Sequence, residues 1–87
     1  MSTVDRLWDI VHRTEQAQPQ NNSEQVSKYR LLITLYQEIL WLTPADRIRL
    51  GRIIDTYRAA YRAYRALELL DQERRDDQNR RNLWDSD

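Results

Sequence analysis

The hexapeptide LTPADR, Leu42 to Arg47, decides how this chain folds. Its reading is a helix stop followed at once by a helix start. Thr43 suits an N-cap, Pro44 suits the first helical position where its missing N–H costs nothing, and Asp46 suits the third position beside the positive helix end. A break of one or two residues forces the flanking helices into a tight antiparallel hairpin.

Working outward, one Gly and two Pro among 87 residues leave few chain breakers, and the apolar spacings are helical throughout. The expected fold is therefore all-α, with three helices over about 3–16, 24–42 and 44–75. Upstream, Val4, Leu7, Trp8 and Val11 recur at i, i+3, i+4 and i+7 behind Ser2 or Thr3 as cap. The polar QAQPQNNS (16–23) ends that pattern, and Asn22 or Ser23 is the expected cap of the second helix. In the second helix Tyr29, Leu32, Ile33, Tyr36, Ile39 and Leu40 form one stripe, widened by Leu31, Leu35 and Leu42. One neighbour cannot cover so wide an arc, so the second helix should be central and packed on at least two sides.

The third helix carries three faces. Leu50, Ile53, Tyr57, Ala60, Tyr64 and Leu67, flanked by Ile54 and Tyr61, form the expected core seam. Beside it Arg47, Arg58, Arg62 and Arg65 form a basic row, whose simplest reading is guanidinium groups lying over tyrosine rings and pairing with carboxylates. Nearly opposite the core, Ala59, Ala63 and Ala66 run between Ile48 and Leu70. This strip would let a second helix approach closely. A helix over 44–75 is about 48 Å long against about 29 Å for the second, so its C-terminal part should overhang the hairpin. Residues 1–75 then form one helical domain, and 76–87 a charged tail expected to fray.

Charge is balanced, 14 basic against 14 acidic residues, yet unevenly placed. Between 44 and 66 six Arg (47, 49, 52, 58, 62 and 65) face two Asp, whereas from 67 to 87 seven carboxylates face four Arg. That distribution favours self-pairing or a mixed-charge partner over general polyanion binding. A core this small commonly gains stability from disulfides, metals or self-association, and zero Cys with one His leaves the last.

Catalysis finds little to work with. Lys28 is the single lysine, the serines sit near helix starts or chain ends, and Gly51 alone cannot form a phosphate loop. Asp5, Asp9 and His12 share one side of the first helix, but no second histidine exists to complete a metal site. No cofactor is implied. No apolar run approaches the roughly 20 residues that span a bilayer, and the early apolar residues are interleaved with charge. The expectation is a cytoplasmic, non-enzymatic helical interaction module that acts as an adaptor, assembly factor or regulator. It would pair with itself, as a dimer, and with a larger protein. The interface residues would be Ala59, Ala63, Ala66, Leu70, Tyr61 and the tail pair Leu83 and Trp84. The rivals are a nucleic-acid-binding regulator using the arginine row together with Arg49 and Arg52, and a structural subunit of a larger assembly.

Overall fold

The computed structural model describes the backbone of residues 2–84 and side chains through Arg81. It is all-α: α1 (Thr3–Gln16), α2 (Asn22–Leu42) and α3 (Arg47–Trp84), with a single 3-10 turn at Pro44–Asp46 between the last two. Among the described residues there is no strand.

Local chemistry explains each boundary. Ser2 and Asp5 form a reciprocal capping box at the start of α1, Ser2 Oγ accepting from the Asp5 amide at 3.2 Å. At the other end of α1 the Lys28 ammonium donates to the carbonyls of Glu15 (3.1 Å) and Ala17 (2.9 Å), supplying donors and positive charge to a helix C-terminus. The cap of α2 is Asn21, not the expected Asn22 or Ser23: Asn21 Oδ1 accepts from the Glu24 amide at 2.9 Å, and Gln20 N–H donates to the Glu24 carboxylate. Glu24 thus resembles a capping-box acid but reaches one residue further back, to the amide before the cap rather than to that of Asn21 itself.

Thr43 also departs from its expected role. Its side chain makes no cap for α3; its hydroxyl donates to the Ile39 carbonyl at 2.6 Å and so closes α2. Pro44 and Asp46 turn the chain through the 3-10 segment, with Asp46 N–H donating to Thr43 O at 3.1 Å. The hairpin is as tight as LTPADR suggests, built from a helix stop plus a proline turn.

Val11, Leu32, Ile39 and Leu50 are fully buried, and Leu35, Tyr36 and Ile54 complete the core. α2 is the central element and packs on both α1 and α3. Among the described residues, no Cα of α1 comes within 8 Å of one in α3. The three helices therefore form an open layer, and only long side chains cross from α1 to α3. Of the expected core residues Leu67 is exposed, as are Leu31 and Leu42.

α3 runs 38 residues, to Trp84, past the expected end near 75. Its last contact with α2 is at Asp71, whose carboxylate accepts from Asn22 Nδ2 at 2.8 Å. Beyond that point about 20 Å of helix extends free of the hairpin, which accounts for the 64 Å long axis of the molecule.

Candidate interaction surfaces

Tyr57 and Tyr64 of α3 are placed by an aromatic ladder in the inter-helix seam. Trp8 meets Tyr36 edge-on at 5.7 Å, Tyr36 meets Tyr57 at 5.6 Å, Tyr57 meets Tyr29 at 5.6 Å, and Tyr29 stacks on Tyr64 at 5.6 Å. These are favourable offset and edge geometries, worth about 0.5–1.5 kcal/mol a pair beyond buried area. The Glu15 carboxylate accepts hydrogen bonds from Tyr57 (2.5 Å) and Tyr36 (3.5 Å), which makes it the polar link between α1 and the hairpin. Burial, reinforced by the hydrogen bond to Glu15, pushes the Tyr57 phenol well above the usual tyrosine range. Tyr36 is raised by burial and by the Glu15 carboxylate, against opposing pulls from the Tyr57 hydroxyl and then Arg49. Tyr36 is buried and the other rings are half-buried, packed on one another in the seam.

Three surfaces remain. The first is the face of α3 that turns away from α2. Ala59, Ala63 and Ala66 are exposed there, with Ile48 (73% exposed) and Leu70 (47%) at either end. Tyr61 does not belong to this face; it sits half-buried at the α2–α3 edge. Leu83 and Trp84 close α3, but their side chains lie outside the described residues.

The second surface is the edge of the hairpin opposite α1. Two depressions follow one another along it: one of roughly 250 Å³ lined by Arg30, Ile33, Thr34, Arg58 and Tyr61, the other of roughly 410 Å³ lined by Gln37, Leu40, Trp41, Pro44 and Arg47. Trp41 is 82% exposed, although it sits on a helix with a large buried face. The expected pairing of the arginine row holds only in part. Arg65 binds Glu68, but Arg47, Arg58 and Arg62 have no carboxylate partner among the described residues. The guanidinium over a tyrosine ring belongs instead to Arg30 of α2, 5.8 Å from the Tyr61 ring centre and donating to its hydroxyl at 3.2 Å. The signal for Arg30 was present in the sequence: it shares a helical stripe with Thr34, Gln37 and Trp41.

The third is a depression of roughly 490 Å³ where α1 turns into α2, walled by Pro19, Lys28 and Leu31 among others. Its three charged lining groups are all engaged: Lys28 caps α1, Arg13 pairs with Asp9, and the Glu24 carboxylate accepts from Gln20 N–H.

The acidic side of α1 offers no joint site. Asp9 pairs with Arg13 at 2.8 Å, Asp5 belongs to the capping box, and His12 lies against Trp8. Among the described residues no group of three His, Cys, Asp or Glu is placed to hold a metal ion, and no helix is long and apolar enough to cross a membrane. No protein-family model matches the chain, and neither a curated protein nor a solved structure is significantly similar to it.

Proposed function

We propose that the protein is a non-enzymatic helical interaction module that pairs with a second copy of itself through the outer face of α3 and presents the rest of its surface to a larger protein. The supporting observation is a self-complementary heptad on that face. Thr56, Ala63, Leu70 and Asp77 repeat every seven residues, as do Arg52, Ala59, Ala66 and Glu73, and all eight are exposed. The two sets are spaced as the a and d positions of a coiled-coil seam.

In an antiparallel pair, a positions of one chain face d positions of the other. Ala63 then faces Ala66, Leu70 faces Ala59, Thr56 faces Glu73 and Arg52 faces Asp77, each contact formed twice by two-fold symmetry. Four small apolar layers lie at the centre and an ion pair closes each end, over about 38 Å of helix. Sliding the chains by one heptad sets Arg52 against Leu70 or Glu73 against Ala63. Parallel pairing sets Asp77 against Asp77 and Arg52 against Arg52, so charge selects the antiparallel register.

Sedimentation or light scattering at tens of micromolar should give a dimer. Arg52→Glu should weaken it about tenfold, the equivalent of two exposed ion pairs, and adding Asp77→Arg should restore it. A monomer in the wild type, or a double variant no better than the single, overturns the pairing. A second reading, nucleic-acid binding, draws on Arg47, Arg58 and Arg62, which have no carboxylate partner among the described residues. Anisotropy with duplex and single-stranded DNA at two salt concentrations tests it, since phosphate contacts make affinity fall steeply with salt.

A further inference from the structure

We infer that the hairpin edge centred on Gly51 is a docking trough for an acidic helical segment of a partner protein, laid between α2 and α3 on the side away from α1. The inference rests on reading the chain as an interaction module, but not on its self-association, which uses another face of α3.

Gly51 is the chain's only glycine and sits inside α3, where glycine is the poorest helix former after proline. No tight packing requires it: a Cβ built there meets nothing within 4 Å, and its φ is not positive. Its position is informative. On the helix wheel Gly51 lies in line with Arg47, Arg58 and Arg65, on the stretch of α3 between the two depressions. Gly51 lines neither depression, but the space where its Cβ would stand is open, so the backbone of a segment that bridges the two can come close to α3 there.

The walls specify the occupant. Neither depression is lined by a carboxylate, whereas Arg30, Arg47 and Arg58 line them; of the exposed residues on the same stripe of α3, Arg62 and Arg65 outnumber Asp55. The apolar contribution comes from Ile33, Leu40 and the exposed indole of Trp41. Such walls fit a segment with carboxylates on its flanks and an apolar ridge between them, in the helix-in-groove mode. The basic row is also short. From Arg47 to Arg65 it covers about 27 Å, and beyond it Glu68, Asp71, Glu73, Asp76 and Asp77 are interrupted by Arg74 and Arg75 and followed by Arg80 and Arg81, with Glu73 and Asp76 in line with the basic row. A polyphosphate strand continuing along α3 would run into those carboxylates, whereas a short acidic peptide ends before them.

The test pans a phage-displayed library of random peptides on the full-length protein and measures the enriched peptides by fluorescence anisotropy, with a single-stranded oligodeoxynucleotide as a parallel probe. Enriched peptides should carry several Asp or Glu around large apolar residues. Their affinity should fall at least tenfold with Gly51→Leu, which fills the trough without lowering the melting temperature, and with Arg58→Glu. Ala63→Glu, on the self-pairing face, should leave peptide binding unchanged while abolishing the dimer. No enrichment, peptides without acidic excess, peptides held equally by both trough variants, or an oligonucleotide held more tightly than any peptide would each overturn the proposal. Because Arg58→Glu alters only an exposed side chain, it decides the matter even if Gly51→Leu folds poorly.

Discussion

Tyr57 shows how a single residue can be half-legible in a sequence. Its place on the core seam followed from its spacing with Leu50 and Tyr64, and the structure puts it there, half-buried between Tyr29 and Tyr36. Its hydrogen bond to Glu15 could not be read, because it depends on how α1 lies across α2 and joins residues 42 positions apart. The bond has a pH signature. A phenol whose folded-state pKa is raised stabilises the fold fully below the unfolded value near 10 and loses that contribution as pH rises further. Unfolding free energy should thus be insensitive to this group up to about pH 10 and decline above it. Absorbance at 295 nm should show tyrosine ionisation trailing into higher pH, and Tyr57→Phe should shorten that trail. The same variant should cost about 1 kcal/mol at neutral pH through the lost hydrogen bond. An unchanged alkaline profile in Tyr57→Phe would refute the assignment. The arginine row teaches the converse lesson: its spacing was plain, but pairing with carboxylates depended on which acids α2 brings near. α2 brings none, and contributes Arg30.

At the scale of elements, helix identity and order were readable because breakers are few and LTPADR is unambiguous as a break. The ends were less so. Asn21 was missed as a cap because three polar residues, Asn21, Asn22 and Ser23, compete there, and Glu24 decides among them. Thr43 satisfies a donor need at the end of α2 through Ile39 and leaves the turn to Pro44. For α3 the polarity after residue 75 suggested a tail, whereas the structure carries the helix to Trp84 without support from α2. Asn22 and Ser23 hold the α2 terminus to Asp71 and Glu68; the Ser23 hydrogen bond, followed by Arg65, holds the Glu68 carboxyl below its usual range. Everything beyond these two carboxylates is dispensable to the fold of one chain. Removing residues 76–87 should therefore shift the unfolding free energy of the dilute protein by less than about 0.5 kcal/mol, as followed by circular dichroism. It should also weaken self-association at higher concentration, since Asp77 goes with the deleted segment. A large loss of stability in the dilute sample would mean that the overhang folds back.

At the scale of the molecule, α2 was readable as the centre from the width of its apolar arc, and the overhang from the difference in helix lengths. The openness of the layer was not readable. A three-helix sequence invites a closed bundle, and the exposure of Leu31, Leu42 and Leu67 records that closure does not occur. Apolar residues left outside a closed core are also what a partner would cover, so the surfaces of interest became visible only once the core had been located.

The gap between α1 and α3 sets an order of events in the native state. α1 is joined to the rest through α2, the Lys28 cap and the Glu15 carboxylate, whereas the α2–α3 hairpin shares most of the buried core. We therefore expect α1 to open as a separate cooperative unit while the hairpin stays intact. Native-state hydrogen exchange should release the amides of α1 through a sub-global opening that needs less denaturant than the global transition, while amides around Leu32, Ile39 and Leu50 exchange only on complete unfolding. Equal exchange free energies in all three helices would contradict this. Each such opening briefly bares Val11, Trp8 and Tyr36, so proteolysis in the native state should begin in the first helix or the loop behind it.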